Sequence, residues 1–178
     1  MRKIRVKEKK VDKAEGFFES KKKMTIAGVS AAVVLIIIVV LLLVESTDEK
    51  IVVNNRTDLK LEYVKAYFVG PEDVYNDGIN VTDLGAGEKE VIPQEPINLL
   101  NAEANLEVRF KFEGSEEMFV DAGYYNDNFA GKITIDFSKN KEGKVILRVK
   151  AKPGVLNSPN IIADDRFTVN LETGEIED

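Results

Sequence analysis

Two hydrophobic patterns divide this chain. From Met24 to Val44 no residue carries a charge, and the stretch Val33–Val44 consists of Val, Leu and Ile alone. As a helix rising 1.5 Å per residue, the run spans about 31 Å, close to the roughly 30 Å thickness of a bilayer's hydrocarbon core. Its β-branched residues are poor helix formers in water. In lipid, a helix is the one way for such a segment to pair all its own backbone groups. The pattern predicts a transmembrane α-helix over residues 24–44.

Beyond a polar stalk, residues 45–50, the period changes to two. In Leu106-Glu107-Val108-Arg109-Phe110-Lys111-Phe112-Glu113 the apolar side chains take one face and the charges the other, as in a half-buried strand. The same alternation runs through Lys132–Phe137, Val145–Ala151 and Phe167–Leu171. Less regular strands are expected at Ile51–Val53, Leu59–Val69, Ile79–Val81, Glu90–Ile92 and Met118–Val120. Within Leu59–Val69 the apolar parity shifts from Leu59, Leu61 and Tyr63 to Val64, Ala66 and Phe68, which predicts a bulge or a strand buried on both faces near its end. Turn residues separate the runs, among them Gly70-Pro71, Asn76-Asp77-Gly78, Gly85-Ala86-Gly87 and Pro153-Gly154. Seven to nine short strands at this spacing predict an all-β domain, an antiparallel β-sandwich of the immunoglobulin-like kind, over residues 51–178.

Charge orients this arrangement. Residues 1–23 hold ten Lys/Arg and four Asp/Glu, while residues 45–178 hold fifteen and twenty-seven, so a +6 head and a −12 body flank a neutral span. The excess of positive charge beside the apolar run places residues 1–23 in the cytoplasm and the body outside it. The small residues Ala27, Gly28, Ser30, Ala31 and Ala32 stand at the inner end of the run, the wrong end for a signal-peptidase site, so the anchor is expected to remain uncleaved. Gly28 and Ala32 stand four apart and form a candidate helix–helix contact. The basic tail suits anionic lipid or serves simply as a topology signal. Nucleic acid is not an expected partner.

The chain contains no Cys and no His. That removes disulfides, thiolate and imidazole metal ligands, and the Ser-His-Asp and Cys-His arrangements of nucleophilic catalysis. A Cys-free outer domain points towards a bacterial cell envelope. Acidic pairs such as Glu116-Glu117 and Asp164-Asp165 could serve glycoside hydrolysis, but pairs are expected by chance among so many acids. No catalytic residue, metal or cofactor is assigned. Asn55-Arg56-Thr57 and Asn80-Val81-Thr82 match the glycosylation sequon, which matters only in a eukaryotic secretory pathway.

The segment Asp121–Gly131 stands out, since it sets Tyr124, Tyr125 and Phe129 among Gly, Asn and Asp in what is expected to be a loop. Such a mixture suits contact with sugar or peptide, and Tyr124, Tyr125, Asn126, Asp127 and Phe129 are the candidate ligand-binding residues. The competing expectation is an aromatic side chain tucked under a turn to close the sandwich. The sequence as a whole predicts a single-pass membrane protein whose outer sandwich engages an envelope protein or a glycan. A structural subunit that oligomerises through its helix is the alternative, and a small glycan hydrolase comes third.

Overall fold

The computed structural model describes residues 25–26, 28–41, 49–71, 73–154 and 158–177. They fall into two compact units, residues 1–41 and 42–178. In the first, residues 25–26 and 28–41 are helical and every described side chain is exposed. Among the described residues no helix is long and apolar enough to cross a membrane. Met24, Ala27 and residues 42–44 of the apolar run, the tail 1–23 and residues 45–48 of the stalk lie outside the described residues.

The second unit is built from strands: β1 (Lys50–Asn55), β2 (Leu61–Val69), β3 (Ile79–Leu84), β4 (Lys89–Pro93), β5 (Ala104–Phe112), β6 (Met118–Tyr125), β7 (Gly131–Lys139), β8 (Val145–Pro153), β9 (Ile161–Ile162), β10 (Asp164–Val169) and β11 (Ile176–Glu177). They form a six-stranded sheet in the order β11-β10-β8-β7-β1-β4 and a five-stranded sheet in the order β3-β2-β5-β6-β9. The all-β sandwich expected from the alternation is therefore present. Two strands were not anticipated: β9 and β11 have two residues each, too few to carry a periodic signal.

The six-stranded sheet is mixed, which departs from the expected antiparallel arrangement. β1 pairs antiparallel with β4 on one side and parallel with β7 on the other. Its Ile51, Val52 and Val53 are all buried, so the run is continuously apolar rather than alternating, as suits an interior strand covered on both faces.

The core lies between the sheets. Leu106, Val108, Phe110 and Phe112 of β5 are fully buried and face Ile133, Ile135 and Phe137 of β7 and Leu147 and Val149 of β8. Phe110 and Phe112 meet Phe137 edge-on at ring-centroid distances of 5.2 and 5.6 Å, joining one sheet to the other. Burying each such side chain contributes about 1.5–3 kcal/mol. The parity shift in β2 is a register shift between Leu61 and Tyr63, a bulge as expected.

Asn55, at the end of β1, is wholly buried. Its Nδ2 donates to the carbonyls of Leu59 (2.7 Å), Leu84 (3.2 Å) and Gly85 (2.9 Å), and its Oδ1 accepts from the Thr57 hydroxyl (2.6 Å) and backbone N–H (3.2 Å). One amide thus ties the β1–β2 turn to the β3–β4 turn. The sequon at Asn55 is a structural lock, whereas Asn80, on edge strand β3, is exposed.

Candidate functional site

The segment Asp121–Gly131 is only partly a loop, because β6 continues through Tyr125. Strand alternation continues across Met118, Val120 and Ala122, all buried, and then breaks at Gly123. Register with β5 shifts between Ala104 and Leu106, so that Gly123 and Tyr124 together oppose Asn105. This is a β-bulge. Gly123 has φ +69°, and a Cβ there would lie 2.6 Å from the Cβ of Ala163 and 2.8 Å from Cε2 of Tyr125. Only glycine meets both the backbone and the steric demand.

The bulge inverts the parity of the two tyrosines. Tyr125 turns inward and is fully buried, packing edge-on against Phe68 (4.9 Å) and Phe129 (5.6 Å). Phe129 is also buried, and its backbone exchanges two hydrogen bonds of 2.9 Å with Ile97, pinning the β4–β5 connection. Both aromatics close the end of the core and present no side-chain surface to a ligand. Their expected place in a binding surface is corrected by burial.

Asn126 and Asp127 are half-buried. The Asn126 N–H donates to the Asn160 carbonyl at 2.9 Å. Asp127 accepts from the Ser158 hydroxyl (2.7 Å) and the Asn128 N–H (2.8 Å), bonds that hold its carboxyl below the usual range. These two residues fix the turn against the β8–β9 connection. Of the five candidates, Tyr124 alone is exposed, at 39%.

Tyr124 opens onto a cleft of about 480 Å³ that wraps the edge of β6. It is lined by Asn105 of β5, Asp121, Gly123 and Tyr124 of β6, Ile162 of β9, and Asp165, Arg166 and Phe167 of β10. Ile162 is paired with Tyr124 across β6–β9 and is 68% exposed, so the two form an apolar step at the rim. Asp165 accepts a hydrogen bond from the Gly123 N–H, and Asn105 donates from Nδ2 to the Gly123 carbonyl. Both backbone groups of the bulge are therefore held by side chains. Partial burial, reinforced by the charge of Glu107, raises the pKa of Asp121. The Tyr125 hydroxyl is buried and, among the described residues, has no hydrogen-bond partner; burial followed by the charge of Asp165 raises its pKa.

Sequence reasoning named Tyr124 but missed Asn105, Asp121, Ile162 and Asp165 as its neighbours. A free-standing glycine in an alternating strand was the available signal for the bulge. Nothing in the sequence brings Asp165 to Gly123, since that contact depends on the chain leaving one sheet for the other after Ile162.

The outer face of the same sheet carries a second polar group. Arg109 donates to Tyr67, Glu107 and Glu117, lies 4.9 Å from the Phe119 ring centroid, and has its pKa raised by Tyr67 first and Glu107 next. Tyr67 also donates to Glu107, and Tyr63 to Glu117. Glu117 is thus occupied, and Asp164 is held by Arg148 (2.7 Å) and Lys150 (3.0 Å). Neither acidic pair singled out in the sequence acts as a free carboxylate couple. Among the described residues no cluster of acids is suited to hold a metal.

On the helix, nothing among the described residues lies within 4 Å of a Cβ placed at Gly28, and Ala32 is likewise exposed. The pair lies four residues apart on an open face.

No protein-family model matches the chain, and no curated protein matches it. A solved structure described as the NMR structure of the protein from Eubacterium rectale aligns with 62% of this chain and 93% of its own, at a TM-score of 0.38 and 11% identity.

Proposed function

We propose that this chain is a single-pass membrane protein of the cell envelope whose outer β-sandwich is an interaction module, binding an envelope protein or glycan at the Tyr124 cleft. The observation that carries the reading is the cleft itself. An exposed tyrosine and isoleucine stand against two carboxylates over a glycine bulge whose backbone is locked by Asp165 and Asn105. Bulges are enriched where a sheet must re-aim a side chain for function. Here the bulge turns Tyr124 out while Tyr125 stays in the core.

In this reading residues 24–44 span the bilayer, the +6 tail stays in the cytoplasm and the −12 body lies outside. The uninterrupted apolar run and the opposite charges of its flanks support the assignment. The sandwich is of the broad immunoglobulin-like kind, two packed sheets whose connections pass from one to the other. No reaction is assigned to it.

Two experiments test the proposal. Protease added to right-side-out vesicles should remove the sandwich and spare the tail, and the reverse pattern would overturn the orientation. Affinity capture from solubilised native membranes should recover a specific partner with the native chain and lose it with a Tyr124→Ala, Ile162→Ala variant. Undiminished recovery with that variant would overturn the site.

A further inference from the structure

We propose that the free edge of β6 takes up an extended, basic peptide segment as an added strand, with a Lys or Arg side chain set against Asp121. This rests on the reading of the cleft as a partner site and names the partner's chemistry.

β9 covers β6 only at Tyr124 and Tyr125, and after Ile162 the chain crosses to the other sheet as β10. From Met118 to Ala122, β6 pairs with β5 on one side and, among the described residues, with no strand on the other. Alternate residues of a strand direct their N–H and C=O groups to opposite sides, so this stretch offers unpaired backbone laterally, the template for strand addition. The Gly123 N–H is already taken by Asp165, which marks where the open stretch ends.

The charge of the edge selects the occupant. Of the acids on the outer face, Glu107 and Glu117 meet Arg109 and Glu62 meets Lys111. Among the described residues Asp121 makes no ion pair of this kind, and Asp165 is spent on backbone. An acidic segment would face Glu107, Asp121 and Asp165 together, with Arg166 at the rim as the opposing cation. A basic segment would answer the charge that Asp121 lacks. Phe119, 51% exposed two residues before Asp121, offers an apolar neighbour to the same strand.

The test uses the full chain in phosphatidylcholine nanodiscs, with amide hydrogen exchange read residue by residue. A capped Lys-Val-Lys-Val-Lys-Val peptide should slow exchange of alternate amides within residues 118–122 by about tenfold or more. The matching Glu-Val peptide should leave them unchanged, and Asp121→Asn should reduce the protection given by the Lys-Val peptide. No slowing in this stretch, or equal slowing by both peptides, overturns the proposal, and the edge charge and bulge then serve only to keep other strands away. If the Tyr124→Ala, Ile162→Ala variant loses its captured partner while the Lys-Val peptide protects nothing, the partner site stands and the strand-addition inference falls. If capture survives that variant, the partner site falls whatever the peptide does.

Discussion

Replacing Asn55 with Ala should destabilise the sandwich by about 3 kcal/mol, more than most single substitutions. The figure follows from the hydrogen bonds lost. The side-chain amide has two donor hydrogens shared among three carbonyls, and its oxygen accepts two bonds from Thr57. That amounts to about four effective bonds, each contributing about 1 kcal/mol net. One loss is offset, because the Thr57 hydroxyl also reaches the Leu59 carbonyl at 3.3 Å and can retain it. Urea unfolding of the detergent-solubilised chain, followed by circular dichroism of the β signal, should show the midpoint falling by about 1.5 M at an unchanged slope of about 2 kcal/mol/M. Asn80→Ala, on an exposed position of an edge strand, should stay within about 0.5 kcal/mol. A loss below about 1 kcal/mol at Asn55, or equal losses at the two sites, would refute the locking role.

Two further outcomes are expected. Gly123→Ala should cost about 2–5 kcal/mol, combining about 1–2 for a left-handed backbone with about 1–3 for overpacking against Ala163 and Tyr125, measured by the same unfolding; a neutral result would contradict the bulge geometry. Arg148 first and Lys150 next hold the Asp164 carboxyl down at about 2, below its ordinary 3.8. A depressed acid contributes stability above its unfolded pKa and loses it as pH falls through the folded one. Asp164→Asn should therefore flatten the loss of stability between about pH 4 and pH 2, modestly because the pair is half-exposed and screened by salt; superimposable acid limbs would contradict the pairing.

Much of the sandwich was legible because half-buried strands write their geometry as alternation. β5, β7 and β8 stand almost where the period-two runs lie, and the parity shift in β2 marked a real bulge. Alternation failed wherever local geometry departed from it. β1 is buried on both faces, so its run gave no facing direction and no hint of parallel pairing with β7. β6 reads as ending near Val120 because Gly123 removes a side chain and reverses the parity that follows. That reversal explains why Tyr124 and Tyr125, adjacent and alike in sequence, part company, one at the rim and the other in the core. The two sequons show the same limit, since Asn55 and Asn80 sit in identical patterns and only tertiary contacts make one a lock. The cleft itself was half visible: Tyr124 lay in the unusual segment, while Asp165 arrives from a strand that changes sheets.

The central claim is that partners meet this protein at the Tyr124 rim, and site-specific photocrosslinking in native membranes tests it most directly. A photoreactive residue placed at Tyr124 or at Ile162 should give a discrete adduct of higher mass. The same residue at Lys141, in the turn that follows β7 at the far end of that strand from Gly131, should give none. Adducts at Lys141 alone, or no adduct at Tyr124 and Ile162 in membranes of the native cell, would contradict the account.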